Sequence, residues 1–361
     1  MFESLIDKNA GLYHSASSSV IISSRIRLAR NLSGVNFMSI AKKDDLNDIY
    51  TRTFLALKKY KKLKNIKSLD MSQLSEIDRL VLLECRFISK ELFENKNGRA
   101  GLVLDEKFSS LIMLNEEDHL RIQSIDKGLS LEKIWERTFE LDAFLAKELN
   151  YAYSDRYGFL TSCPSNVGTG MRASVMMHLP CLVESDLMEK VMRGVNQLGI
   201  VIRGANGEGS DSLGSFFQVS NQRTLGISEE QIVLDITKIA LKLEEFELDA
   251  RVKMIKETPE FLINKISRAW GLLMYSALIN SSEALGCLSM LKLASAMGIF
   301  PKTMKKDINA LMMNIQKAHL ILIKNCEIES PYQRDVARAS YIRTILAKYK
   351  FPTTLTKFLN R

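Results

Sequence analysis

The stretch Gly158-Phe-Leu-Thr-Ser-Cys-Pro-Ser-Asn-Val-Gly-Thr-Gly-Met-Arg-Ala-Ser-Val175 decides how the rest of the chain is read. Phe159 to Ser162 is short and apolar enough for a strand. Pro164, Ser165 and Asn166 are turn residues, and Arg172 sits where the chain straightens again. Gly168 and Gly170 allow a sharp bend and a close approach of backbone to a ligand. A thiol, a glycine loop and an arginine within ten residues suggest an anion site beside a reactive atom. Spacing alone fits a hairpin with a core cysteine equally well. No Gly-Lys-Ser/Thr follows, so the loop is not of the Walker type.

Working outward, Val20-Ile-Ile-Ser-Ser-Arg-Ile-Arg-Leu-Ala-Arg30 reads as a strand. A period of two puts Ser23, Arg25 and Arg27 on one face, with Ile22, Ser24, Ile26 and Leu28 on the other. Two neighbouring arginines repel unless an anion lies between them, and a polyphosphate suits forked guanidinium pairing. An exposed strand face is the competing reading. Gly101–Asp105 and Ser110–Asn115 read as further strands, followed by Asn115-Glu-Glu-Asp-His-Leu-Arg-Ile-Gln123. Alternation would place Glu116 and Asp118 on one side and Glu117 on the other. A polar hairpin turn is the alternative.

Helical spacing marks 44–60, 72–93, 130–149, with Ser130 as N-cap, and 186–197. Gly199-Ile-Val-Ile-Arg203 is a strand that runs into Gly204-Ala-Asn-Gly-Glu-Gly-Ser210, a glycine-rich loop whose single acid, Glu208, gives it the character of a lid. Phe216–Ser220 is another strand, and Ser228-Glu-Glu-Gln231 is a capping box that opens a long helix. Thr258-Pro259 breaks that helix and sets a domain boundary: residues 1–257, then an all-α part, 258–361.

The 361 residues carry a net charge of +8. The stretch 259–361 holds 15 Lys and Arg against 6 Asp and Glu, a net of +9, so the basic excess lies wholly there. An anionic partner or a solubilising surface would each account for it. No apolar run reaches membrane-spanning length, and the first residues lack the basic head and apolar stretch of a secretory signal. Five scattered cysteines without a CxxC pair argue against zinc and disulfide frameworks and fit a reduced, cytoplasmic setting; no residue is assigned to a metal. The run Lys58–Lys64 has no aromatic platform and reads as a solvated helix end, so nucleic acid is not an expected partner.

If Arg25, Arg27, Arg121, Arg172 and Arg203 converge, they would neutralise a nucleoside triphosphate and the charge that develops in phosphoryl transfer. Mg2+ would then need few protein ligands, because phosphate oxygens and water can hold it. Glu117, Glu208 and Cys163 would suit a planar cationic acceptor such as a guanidinium. Its pKa lies far above neutrality, so a base must act as transfer proceeds.

Ser23-Ser-Arg-Ile-Arg27, Asn115–Arg121, Cys163–Ser174 and Arg203–Glu208 occur in the order of the phosphagen kinase (ATP:guanido phosphotransferase) motifs, over about the first 255 residues. Within that family the chain most resembles the bacterial protein arginine kinases of the McsB type. The amino-terminal helical domain of the small-guanidine kinases is not seen ahead of Val20, and Arg334-Asp-Val-Ala-Arg-Ala339 matches that branch's RDxxRA motif. The resemblance implies an α+β fold: an antiparallel sheet flanked by helices, as in glutamine synthetase, followed by an all-α domain. It implies ATP binding by Ser23, Ser24, Arg25, Ile26, Arg27, Arg121, Arg172, Ala173, Ser174, Val175, Met176, Arg203, Gly204, Ala205, Asn206, Gly207 and Glu208. Arg86 falls where relatives carry a nucleotide-contacting histidine. The resemblance also implies Glu117 as base and clamp, Glu208 as second clamp, Cys163 beside the guanidinium, and phosphoarginine binding by Arg334, Asp335 and Arg338. Protein substrates bearing arginine, homo-oligomers, a zinc-binding activator protein and a Clp-type unfoldase come with it. A small-guanidine kinase and a catalytically idle phosphoarginine- or nucleic-acid-binding adaptor are the rival readings.

Overall fold

The chain folds around eight antiparallel strands. The computed structural model describes residues 18–95, 99–106, 108–205, 212–324 and 330–352. Strands β1 (Ile21–Arg30), β2 (Lys67–Asp70), β3 (Gly101–Leu104), β4 (Ser110–Leu114) and β5 (Leu120–Lys127) form one side of the sheet. A two-stranded ribbon, β6 (Tyr153–Ser154) and β7 (Gly158–Phe159), stands apart from it. β8 (Met171–His178), β9 (Ile200–Gly204) and β10 (Phe216–Asn221) complete the sheet in the order β2-β3-β4-β5-β1-β8-β10-β9. β1 is therefore central, paired with β5 on one side and β8 on the other.

Alternation along β1 decides what each face carries. Ile22, Ile26 and Leu28 point to a fully buried face covered by two helices, α4 (Leu131–Leu149) and α7 (Glu229–Glu257). Their apolar lines supply Ile134, Leu141 and Leu145, and Ile232, Ile236 and Leu243. The opposite face carries the arginines. Arg27 stands opposite Arg172 on β8 and Gln123 on β5, Arg25 opposite Ser174, and Arg203 on β9 opposite Gln218 on β10.

Shorter helices complete the first part: α1 (Lys43–Lys59), α2 (Glu76–Glu84), α3 (Lys90–Glu94), α5 (Pro180–Glu184) and α6 (Met188–Asn196). Helical spacing over 72–93 suggests one helix, yet the chain breaks between α2 and α3. Arg86 takes a left-handed backbone there (φ 56°), and Ser89 caps α3. Phe159–Ser162 was expected to be a strand; only Gly158–Phe159 is, because Phe159 closes back on Gly168 and the intervening residues form a tied loop. Ser228 caps α7 through its side chain, whereas Ser130 makes no side-chain cap at α4.

At Thr258 the chain turns and only helices follow: α8 (Pro259–Tyr275), α9 (Ser281–Ala296), α10 (Lys302–Asn314), α11 (Lys317–Lys324) and α12 (Pro331–Leu346). This part is docked on the sheet domain. α11 packs on α2, where Glu84 accepts the amides of Ala318 and His319 and bonds the His319 ring at 2.6 Å. At the end of β8, His178 bonds Ser289 of α9 at 2.7 Å. No described helix is long and apolar enough to cross a membrane.

Candidate active site

The arginine face opens into two neighbouring cavities that share wall residues. The larger, of about 380 Å³, is lined by Arg25, Arg27, Arg86, Arg121 and Gln123 with a mixed surround of apolar and polar side chains, Glu84 and Lys90 among them. The smaller, of about 220 Å³, holds Glu117, Cys163, Asn166 and Arg172. Arg27 and Arg121 line both. One cavity is thus rich in cations, the other brings a carboxylate and a thiol together, and Arg27 and Arg121 belong to the walls of both.

These cations are costly as they stand. Burial, then the neighbouring Arg86, Arg172 and Arg121, pushes the Arg25 guanidinium down to about 9. Arg27 is driven well below its ordinary value by burial and by Arg25, Arg121 and Arg172, with Glu116 opposing, and Arg172 is lowered by burial and by Arg203 and Arg121. Side-chain neighbours answer only part of this, since Arg25 donates to Gln218 at 3.0 Å and Arg172 to Ser220 at 3.1 Å. The Nε atoms of Arg27 and Arg172 and the Ser23 hydroxyl are buried without a hydrogen-bond partner. Arginine does not shed its proton under such pressure, so a multiply charged anion is the group that relieves it.

The acidic turn is built between β4 and β5. Asn115 adopts φ 57° and its amide bonds the His119 carbonyl at 3.0 Å, so Asn115–His119 is a hairpin turn and not a continued strand. Each side chain has its own task. Glu116 is buried against Arg121 at 2.6 Å and Ser89. Asp118 accepts from Asn31 and from the Ser162 amide, both at 2.7 Å, which ties the turn to the thiol loop. Glu117 faces the smaller cavity, 3.0 Å from Arg121 and 3.5 Å from the Asn166 amide nitrogen. Burial raises its carboxyl pKa, opposed by Arg121 and aided by Asp118, Glu116 and Glu91. A carboxylate biased toward proton uptake is suited to a general base.

Cys163 opens a single 3-10 turn, Pro164–Asn166, with its sulfur 3.1 Å from the Ser165 hydroxyl. Thr224 bonds the carbonyls of Ser165 and Val167 at 2.9 and 2.8 Å, and Thr161 bonds that of Cys163 at 2.8 Å, so the loop is clamped. Gly168 lies at φ 112°, where a Cβ would meet the Thr224 carbonyl oxygen at 2.2 Å, and no larger residue fits.

Of the residues suggested by sequence, Arg25, Arg27, Arg86, Arg121, Arg172, Ala205, Glu117 and Cys163 line the two cavities. Arg86 donates to the Ala205 carbonyl at 2.8 Å within the larger one. Ser23, Ser174 and Met176 share the arginine face, and Arg203 lies on it at the sheet edge, followed by Gly204. Ser24, Ile26, Ala173 and Val175 point to the core instead, because strand alternation sends every second side chain through the sheet. Asn206, Gly207 and Glu208 lie outside the described residues. In α12, Arg334 and Arg338 were expected to share a ligand-facing surface. Arg338 is instead buried, donating to the carbonyls of Ile279 and Ile315 at 2.8 and 2.9 Å and pairing with Asp335. Its guanidinium is committed inward, so Arg334 and Asp335 are the half-exposed members of that motif.

Sequence reading missed Ser89, Gln123 and Arg30. Arg30 had a visible signal, because it falls on the apolar parity of β1. It is buried against Asp142, bonds the carbonyls of Ala29 and Thr169 at 2.9 Å each, and lies 3.5 Å from the Phe159 ring centroid.

A platform of half-buried arginines on an antiparallel sheet, next to a carboxylate and thiol pocket, is an arrangement suited to a phosphotransferase that acts on guanidino groups. Known proteins agree. Residues 48–250 match the family described as ATP:guanido phosphotransferase, C-terminal catalytic domain, and residues 259–356 match the protein-arginine kinase McsB C-terminal domain. A protein-arginine kinase of Syntrophomonas wolfei is 40% identical over 328 residues, covering 90% of this chain and 91% of that protein. One of Geobacillus thermodenitrificans is 41% identical over 329 residues, covering 90% of each. Among solved structures, a lombricine kinase superposes with a TM-score of 0.59 at 23% identity over 69% of this chain and 71% of its own. The duplicated taurocyamine kinase of Schistosoma mansoni gives 0.59 at 24%, over 74% and 42%. Both likenesses concern the fold. The chain belongs to the ATP:guanido phosphotransferase family, in its protein-arginine kinase branch.

Proposed function

We propose that this chain transfers the γ-phosphoryl group of ATP to arginine side chains of proteins. The observation that carries the reading is that two neighbouring cavities, one rich in arginines and one holding Glu117 and Cys163, share Arg27 and Arg121 as wall residues. The triphosphate lies on Arg25, Arg27, Arg86, Arg121 and Arg172, and the acceptor guanidinium enters beside Glu117 and Cys163. A guanidinium nitrogen attacks the γ-phosphorus, the N–P bond forms as the bond to the β,γ-bridging oxygen breaks, and ADP leaves. The proton released from that nitrogen passes to Glu117, whose raised pKa suits it to accept one. Arg27 and Arg121 hold the charge that spreads over the transferred group.

No group of three or more His, Cys, Asp or Glu that could hold a metal occurs among the described residues. The carboxylates near the nucleotide are committed: Glu84 to α11 and Glu116 to Arg121 and Ser89. This donor set fits Mg2+ held by phosphate oxygens and water, where it neutralises phosphate charge when bound. Glu208 completes the proposal as second clamp, and Arg334 with Asp335 as phosphoarginine contacts that Arg338 positions. A cytoplasmic setting, homo-oligomers, a zinc-binding activator and a Clp-type unfoldase extend it on kinship alone. The direct test is incubation with ATP and an arginine-rich protein, alongside Glu117→Gln. Acid-labile phosphate on arginine with wild type only is expected; equal labelling by both would remove Glu117 from the reaction.

A further inference from the structure

The larger cavity is not built by the catalytic sheet alone. Ser281 and Leu285 of α9, Met313 of α10 and Gln316 just before α11 line it together with the arginines. These residues fall outside the catalytic family match at 48–250 and inside the C-terminal match at 259–356. None of them lines the smaller cavity, which adjoins the larger one at Arg27 and Arg121. Leu83, Ile88 and Met113 of the sheet domain supply the facing apolar wall. The cavity therefore has cations toward the acceptor and a mixed apolar and amide surface contributed across the domain junction. A nucleotide has the same polarity: an anionic chain at one end, and at the other a flat apolar ring with hydrogen-bonding edges.

We infer that the helical domain is a nucleotide-binding element, in which Leu285 and Met313 wall the base while Gln316 and Ser281 meet its polar edge. The inference rests on the ATP-dependent reading of this site and assigns its base end to residues 281–316. Gln316 is placed for the task. Its side-chain nitrogen donates to the Met312 carbonyl at 3.1 Å, which orients the amide at the cavity wall. The junction that carries these residues is fixed by the Glu84–His319 and His178–Ser289 contacts, so the base wall and the arginine platform hold a set spacing. Nucleotide then bridges the two domains, and base selectivity is a property of the helical one.

The experiment is calorimetric titration of the full chain with a nonhydrolysable ATP analogue, its guanine counterpart and inorganic tripolyphosphate. Wild type is compared with Gln316→Ala and with Ser281→Trp, which would obstruct the base end. Gln316→Ala should weaken the ATP analogue about three- to tenfold, the worth of one hydrogen bond, and narrow its preference over the guanine analogue. Ser281→Trp should weaken it more than about tenfold. Tripolyphosphate, which lacks a base, should bind all three alike, and that equality also reports that the variants are folded. ATP-analogue affinity within about twofold of wild type in both variants, or a parallel loss of tripolyphosphate, overturns the inference. A wild type that binds tripolyphosphate but prefers no nucleotide sinks the ATP-dependent reading itself.

Discussion

Asp142→Ala should be among the most damaging substitutions in the sheet domain, though Asp142 lies outside both cavities. The Asp142 carboxylate takes three contacts from Arg30: Nε at 3.1 and 3.2 Å and Nη2 at 2.7 Å. Arg30 is 1% exposed and Asp142 9%. Removing the carboxylate leaves a buried cation hydrogen-bonded to the neutral Ala29 and Thr169 carbonyls and lying on the Phe159 ring, with Glu229 in electrostatic reach but not hydrogen-bonded to it. Breaking one side of a buried pair costs about 3–5 kcal/mol, whereas replacing both partners by apolar groups is far cheaper. Urea unfolding of wild type, Asp142→Ala, Arg30→Met and the Arg30→Met/Asp142→Leu double variant checks this. The double variant should recover most of the loss. Its phosphorylation of protein arginine should still fall, because Arg30 holds the Thr169 carbonyl beside Gly170 of the smaller cavity. A single Asp142→Ala costing under about 1 kcal/mol would refute the reasoning, since it would mean that the Arg30 charge is not stranded.

Further outcomes follow from the site. Glu117→Gln should lower turnover by about 10²- to 10⁴-fold with nucleotide affinity kept, measured by initial rates and titration. In wild type, activity should be lost as pH falls through a Glu117 pKa raised above the ordinary carboxylate value, seen as the acidic limb of the rate profile. Alkylation of Cys163 should inactivate, with protection by ATP plus an arginine substrate; modified yet fully active protein would make the thiol incidental. Lys292 is buried beside Asn309, and burial, Lys305 and Arg251 lower its pKa to about 7 from 10.5. The unfolded chain keeps that proton up to 10.5, so folding releases it between about 7 and 10.5 and stability rises with pH over that window. Lys292→Met should flatten this slope by on the order of 1 kcal/mol per pH unit, read from urea midpoints at several pH values.

Local pattern carried much of this architecture. The alternation of Arg25 and Arg27 against Ile26 and Leu28 is visible in β1, and both faces have the character that parity implies. Gly168 and Gly170 do take left-handed conformations beside other backbone. What parity along one strand lacks is register. That Arg27 faces Arg172, and that Gln123 joins them, depends on pairings across about 95 to 145 positions of chain. The break at Arg86 was hidden for another reason: no glycine or proline marks it, and tertiary contacts of Arg86 and Gln123 hold the turn. In α12, four-residue spacing correctly put Arg334 and Arg338 on neighbouring turns. Spacing does not tell which side of the helix meets the carbonyls of Ile279 and Ile315, and Arg338 is the residue turned inward. The contribution of α9 and α10 to the larger cavity had no local signal at all, because it arises where two domains dock.

The central claim is that two adjoining cavities carry a phosphoryl group from nucleotide to the arginine of a protein. Mass spectrometry of a protein substrate, incubated with ATP and the full chain in the presence of a large excess of free arginine, tests it most directly. Phosphoarginine on the protein, undiminished by the free amino acid and absent with Glu117→Gln, is the result expected. Phosphate transferred mainly to free arginine, or to serine, threonine or tyrosine of the protein, would contradict it.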